Sequence, residues 1–172
     1  MAESIQEKII RTLDSANESY HRLVLLVGES GSGKTEALRN VATKLNARVI
    51  NTNLAVSEKL LELTPKQRAL RLPQILAELI DKADSQTVVL DNLEVLFDSQ
   101  LKQDPLRLLQ SVSRNRAVIA SWSGAVEGDR LRYADMGHPE HRSYELTDTL
   151  VVPMNANGAS PSKRSPAEEC KS

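Results

Sequence analysis

Gly28-Glu29-Ser30-Gly31-Ser32-Gly33-Lys34-Thr35 satisfies the phosphate-loop pattern G-x-x-x-x-G-K-[ST] at every fixed position. Its flanks decide what the loop is for. Leu23-Val24-Leu25-Leu26-Val27 precedes it, an apolar run with the length and branching of a buried strand. Glu36 to Leu45 follows, and it sets Leu38, Val41, Ala42 and Leu45 on one helical face. Strand, glycine loop and helix therefore stand in the order that phosphate binding requires. The glycines let the backbone curl so that successive N–H groups converge on phosphate oxygens. The helix N-terminus adds partial positive charge at the same point. Lys34 is placed to reach the β- and γ-phosphates, and the Thr35 hydroxyl to ligate Mg²⁺. The expected ligand of the whole loop, Gly28 to Thr35, is a nucleoside triphosphate.

Composition sets the limits around that loop. A chain of 172 residues suits one domain with a sizeable core. Its net charge of −1 creates no overall field towards nucleic acid or an acidic membrane. No apolar run approaches the roughly 20 residues of a membrane span. Met1 to Lys8 lacks the basic and apolar regions of a signal peptide. Cys170 is the single cysteine and sits in a polar tail. A cytoplasmic protein with no membrane contact is the expectation.

Residues 4–17 read as an amphipathic helix, capped by Ser4, with Ile5, Ile9, Ile10 and Leu13 on one face. Asn17 to Arg22 then turn into the first strand. There Tyr20, His21 and Arg22 are candidates for an adenine contact, set against the plainer reading of a surface turn. Ala47 to Asn51 gives a second strand. The region after it is expected in pieces, beginning with a short helix capped by Ser57 and carrying Leu60, Leu61 and Leu63. Thr64-Pro65-Lys66-Gln67 combines a capping box with proline at the first helical position. Pro73 is expected to interrupt again, before a third piece striped by Ile75, Leu76, Leu79 and Ile80. Lys66, Arg68 and Arg71 read as a solvated face.

Thr87-Val88-Val89-Leu90-Asp91 is an apolar strand ending in aspartate downstream of a P-loop, the pattern of a Walker B element. Asp91 is expected to hold Mg²⁺ through water, from the carboxyl end of its strand. Hydrolysing ATPases of the additional-strand class usually carry a glutamate next, to orient or deprotonate water. Here that position is Asn92, and the nearest glutamate is Glu94. An amide positions water but accepts no proton. Either Glu94 reaches the site around the strand end, or turnover is slow and the protein senses nucleotide; the balance leans slightly to Glu94.

Asp104-Pro105 opens a capped helix through Val112. Ala117 to Ser121 reads as a fourth buried strand, which in this class lies between the P-loop and Walker B strands. Ser121 and Ser123 are candidates to sense the γ-phosphate, and Trp122 reads as packing rather than base stacking. Residues 125–134 have the signals of a hairpin. His138-Pro139-Glu140-His141 invites a metal reading that its spacing does not support. Residues 144–146 and 149–152 supply a final strand. The domain is expected to span 1–152, with 153–172 a disordered polar tail.

The whole pattern is that of an α/β, three-layer P-loop NTPase of the additional-strand class. A mainly parallel central sheet is expected, close to the AAA-type core but without its C-terminal helical lid. Several phrases sharpen this when taken in order: Arg22-Leu-Val-Leu-Leu-Val-Gly28, Asp91-Asn92-Leu93-Glu94-Val95-Leu96-Phe97 and Leu101-Lys-Gln-Asp-Pro-Leu-Arg-Leu-Leu-Gln110. Ser113-Arg-Asn-Arg116 and Gly137-His-Pro-Glu-His-Arg142 complete the set. Over roughly residues 20–152 the chain resembles the BrxF family, small P-loop proteins of type III BREX anti-phage systems. That resemblance implies bacterial phage defence beside a DNA methyltransferase and other BREX components.

The function expected is Mg²⁺-dependent ATP binding and hydrolysis, with nucleotide state controlling assembly. A site without a lid gains from a neighbour's arginine at the γ-phosphate, which implies a homo-oligomer. Arg114 and Arg116 lead the candidates for a role in trans, followed by Arg130 and Arg132. A nucleotide-gated binding module with little turnover is the alternative. A small-molecule kinase is disfavoured, because no arginine-rich acceptor lid is readable. DNA contact through Arg107, Arg114, Arg116, Arg130 and Arg132 is a further reading, one that requires affinity to fall steeply with salt.

Overall fold

A computed structural model describes residues 4–29, 31–114, 116–133, 142–146 and 149–154. The P-loop strand β1 (Leu23–Gly28) lies inside a parallel sheet, between β4 (Ala117–Glu127) and β7 (Leu150–Pro153). Next to β4 comes β3 (Thr87–Asp91), and β2 (Arg48–Asn51) forms the edge beyond it. The fourth strand is thus inserted between the P-loop and Walker B strands, as the sequence implies. Register sets Ser121 beside Leu26 and Ser123 beside Gly28, so these two serines of β4 flank the carboxyl end of β1.

Period-two alternation along β1 divides the core. Leu23, Leu25 and Val27 pack with Leu72, Leu76, Leu109 and Phe97 on one face. Val24 and Leu26 pack with Ile9, Leu13, Leu38 and Val41 on the other. The first face is covered by α3 (Thr52–Leu60), α4 (Pro65–Lys82) and α5 (Pro105–Val112), the second by α1 (Ile5–Ala16) and α2 (Lys34–Leu45). The result is the three-layer α/β arrangement expected of a P-loop NTPase. Among the described residues no helix follows β7.

Two expectations about the helices need correction. Ser57 lies inside α3, whose cap is Asn51: its side chain accepts the Leu54 N–H at 3.1 Å. Pro73 does not break the chain, because α4 runs through it for 18 residues. Proline at 73 leaves the Ala69 carbonyl without its helical N–H. Gln103 Nε2 donates to that carbonyl at 2.7 Å, so the interruption is repaired from outside the helix. The Thr64–Gln67 capping box forms as read.

Beyond the sheet β4 continues to Glu127 and turns at Gly128-Asp129 into β5 (Arg130–Tyr133), which pairs in turn with β6 (Arg142–Glu145). A Cβ at Gly124 would run into the Arg132 carbonyl, so this close approach requires glycine. The two segments expected to form one final strand separate: 142–145 joins the hairpin, and 150–153 joins β1 in parallel. β7 also runs one residue past the expected boundary at 152. The histidines 138 and 141 and the tail from 155 lie outside the described residues.

Candidate nucleotide site

At the carboxyl ends of β1, β3 and β4 lies a cleft of about 900 Å³, lined by P-loop residues, Asp91, Asn92, Glu94, Ser121 and Ser123. Gly31 and Gly33 take φ of +83° and +98°, the left-handed geometry that lets the loop reverse into α2. Gly28 is required for space instead: a Cβ there would meet Met154 Cγ at 2.7 Å. The end of β7 therefore braces the P-loop. Ser30 lies outside the described residues.

Lys34 opens α2 and is buried, its ammonium donating to the Gly28 carbonyl at 2.9 Å and the Glu29 carbonyl at 2.8 Å. Burial pulls its pKa below the ordinary 10.5, while the charges of Glu94, Asp91 and Glu29 oppose that shift. The next residue, Thr35, donates through Oγ1 to Asp91 Oδ2 at 2.8 Å. Asp91 is itself buried, and its other oxygen accepts the Asn92 N–H at 3.0 Å. A hydroxyl and a carboxylate meeting beside the P-loop are hard oxygen donors, suited to Mg²⁺. Among the described residues no group of three His, Cys, Asp or Glu forms a metal cage. The pair fits an ion that completes its shell with phosphate and water, which is how Mg²⁺ is commonly held.

Glu94 does reach the cleft around the end of β3. It opens a 3-10 turn (Glu94–Phe97), and its Oε1 accepts from Asn53 Nδ2 at 2.9 Å. Ser123 Oγ donates to its Oε2 at 3.4 Å. Asn53 also accepts the Val95 N–H at 2.6 Å and donates its own N–H to the Asn92 carbonyl at 2.9 Å. It thus ties the first turn of α3, directly after β2, to the turn that carries Glu94. Sequence reading passed over Asn53; its polar amide at a strand end next to the Walker B segment was the available signal. Arg39 was also passed over. It lines the cleft one helical turn beyond Thr35, on the same face of α2.

Ser121 is buried in the cleft wall. The arginine candidates lie elsewhere. Arg114 and Arg116 precede β4, at the end opposite the cleft. Arg116 donates to the Ile80 carbonyl at 2.7 Å and lies 3.8 Å from Asp81, so it caps α4. Arg114 is exposed, hydrogen-bonds the Tyr20 hydroxyl and lies over that ring, 4.7 Å from its centre. Tyr20, His21 and Arg22 precede β1 at this same far end, where His21 Nδ1 meets the Gln110 carbonyl at 2.9 Å. They form a surface seam with α5, and the adenine reading fails on position. Arg130 and Arg132 pair with Glu145 at 3.9 Å and Glu127 at 3.1 Å. Arg107 pairs with Asp104 at 3.9 Å. Of these five arginines, only Arg114 has no acidic partner among the described residues.

Residues 24–118, more than half of the chain, match the family described as AAA, the ATPase family associated with various cellular activities. The chain belongs to the AAA family. No curated protein matches its sequence. Among solved structures, C. elegans PCH-2 is similar over 92% of this chain and 44% of its own, with 15% identity and a TM-score of 0.44. Drosophila ORC, in a structure bound to DNA, is similar over 87% and 42%, with 20% identity and a TM-score of 0.41. The chain spans less than half the length of either. As an AAA domain it is a nucleotide-binding module of ATPase type, and such domains use a divalent metal. No helix among its described residues is long and apolar enough to cross a membrane.

Proposed function

We propose that this AAA domain binds and hydrolyses ATP with Mg²⁺, and that it serves a type III BREX anti-phage system whose assembly follows its nucleotide state. The observation that carries the catalytic part is the joining of Thr35 to Asp91 at 2.8 Å, with Glu94 presented in the same cleft. Lys34 exchanges its two loop carbonyls for β- and γ-phosphate oxygens, and the loop N–H groups and the N-terminus of α2 hold the remaining charge. Mg²⁺ held by Thr35 and Asp91 would neutralise phosphate charge. Glu94, oriented by Asn53 and Ser123, takes the proton of the attacking water. Ser121, buried in the cleft wall, serves as the γ-phosphate sensor in this reading. The BREX assignment is supported by the sequence phrases between Arg22 and Arg142 that resemble the BrxF family.

One test separates these parts. Mg²⁺-dependent ATP turnover is measured beside molecular mass with ATP, with ADP and without nucleotide. Lys34→Ala is expected to lose binding, turnover and any nucleotide-driven change in mass; Glu94→Gln is expected to lose turnover alone. Restriction of phage by a type III BREX locus lacking this chain should return with the wild type and not with Lys34→Ala. Unimpaired restriction with Lys34→Ala would remove nucleotide from the biological role.

A second reading, a nucleotide-gated module with little turnover, draws on Asn92. Its φ of +56° is left-handed, where asparagine is tolerated far better than glutamate. The backbone is thus shaped for a residue other than a catalytic glutamate at this place. Robust turnover abolished by Glu94→Gln would exclude the switch reading.

A further inference from the structure

The turn that carries Glu94 is a short 3-10 helix of four residues (Glu94–Phe97). Leu96 N–H to the Leu93 carbonyl at 2.9 Å and Asp98 N–H to the Val95 carbonyl at 3.3 Å join it to the chain on either side. A piece this short takes its position from what packs against it. Phe97, the last residue of the turn, is fully buried, and its ring lies flat on Tyr133 with centroids 3.4 Å apart and planes 6° from parallel. Tyr133 belongs to β5, stands opposite Gly124 in the hairpin ladder and lines the nucleotide cleft. Ser123, one residue before that glycine, donates to Glu94. The turn is thus fastened to the hairpin at both ends: by Ser123 at Glu94 and by Tyr133 at Phe97. Trp122 closes the arrangement, edge-on to Phe97 at 5.0 Å and to Tyr133 at 6.1 Å, with its Nε1 donating to the Arg132 carbonyl at 3.0 Å.

We infer that the Phe97–Tyr133 stack is a positioning element for Glu94, locking the turn to the β4–β5 hairpin so that carboxylate and hairpin respond together to the third phosphate. The inference rests on the reading that ATP occupies this cleft. Glu94, Ser121 and Ser123 stand on the two walls that this stack joins. A third phosphate alters what those polar groups hold, and stiff aromatic packing carries the adjustment into the hairpin as a unit. A base must also sit within a fraction of an ångström of its place, because displacement by about 1 Å costs on the order of a hundredfold in rate. Both rings act on the reaction through Glu94.

Trp122 is the only tryptophan in the chain and contacts both rings, so its fluorescence reads the stack directly. The full chain would be compared as wild type, Tyr133→Phe, Tyr133→Leu and Lys34→Ala. Emission is recorded with Mg-ADP and with a non-hydrolysable Mg-ATP analogue, affinities by calorimetry, and kcat and KM with Mg-ATP. Wild type and Tyr133→Phe should give different spectra with the two nucleotides. Tyr133→Leu should lose that difference and about tenfold or more in kcat, a loss in the range set by misplacing a base, and should change kcat more than either affinity. Should Tyr133→Leu fail to fold, the wild-type spectra still decide. A wild-type chain that binds both nucleotides with one spectrum overturns the inference alone, as does a folded Tyr133→Leu that matches wild type in kcat and spectra. A chain that binds neither nucleotide overturns the nucleotide reading and the inference with it. Distinct wild-type spectra without turnover overturn the positioning of a base, since Glu94 then has no water to act on.

Discussion

Lys34 shows how one residue carries opposing demands. Its burial disfavours the charged form, and the charges of Glu94, Asp91 and Glu29 restore only part of what is lost, so its pKa lies below 10.5. The sign of each consequence follows from proton counts. In the window between the lowered pKa and 10.5 the unfolded chain binds more protons at this lysine than the folded chain. The site's contribution to stability therefore rises with pH across that window. Nucleotide binding runs the other way, because phosphate favours the ammonium. We expect the affinity for an ATP analogue to fall with rising pH before 10.5 is reached, with proton uptake on binding in the same range. Calorimetry in alkaline buffers of differing ionisation enthalpy measures both. Flat affinity without proton uptake would mean that phosphate gains nothing from Lys34's charge. The P-loop and Asp91 could be placed from the sequence because each directly follows or ends an apolar strand. Asn53 could not, since its role depends on β2 ending beside the Glu94 turn, a neighbourhood created only by sheet order.

At the scale of elements the clearest departure from the sequence is α4. Pro73 forecast a break because proline removes an N–H and crowds the carbonyl four residues earlier. What the local pattern does not contain is Gln103, 34 residues after Ala69, whose amide takes that carbonyl. The helix survives because a distant side chain supplies the missing donor. Removing the donor by Gln103→Ala should cost about 1–2 kcal/mol, as for a partly buried carbonyl left unsatisfied. In a Pro73→Ala background the residue 73 N–H is available again, and the same change should cost about 1 kcal/mol less. Urea unfolding of the four proteins gives this coupling directly. Strictly additive effects would show that Gln103 and Pro73 act independently. The β4–β5–β6 extension was half-legible for a related reason. Its turn signal at Gly128 is local, while the pairing of β6 with β5, and not with the strand after it, is set by packing across the aromatic cluster.

For the whole molecule the question is where the charge of a triphosphate is met. Lys34 and Arg39 are the cations lining the described cleft, against Glu29, Glu36, Asp91 and Glu94. Bound Mg²⁺ would offset part of that imbalance, and a further cation from a second copy would offset more at the γ-phosphate. The arginines narrow themselves by their partners. Arg116 is spent capping α4, and Arg130 and Arg132 are held in cross-strand ion pairs. Arg114 remains, exposed, its side chain held among the described residues by Tyr20, at the end of the sheet opposite its own cleft. A group in that position can serve a neighbour in a head-to-tail contact and cannot serve its own site. Arg114→Ala is therefore expected to lower turnover on the order of a thousandfold, the low end for losing such an arginine, while nucleotide affinity stays within about twofold. Mixing it with Glu94→Gln gives the decisive measurement. Assemblies then contain interfaces that pair an intact Glu94 with a neighbour's intact Arg114, and activity should reappear only in the mixture. Two inactive variants that stay inactive together would place Arg114 outside the reaction and leave the cleft to work with the cations of one chain.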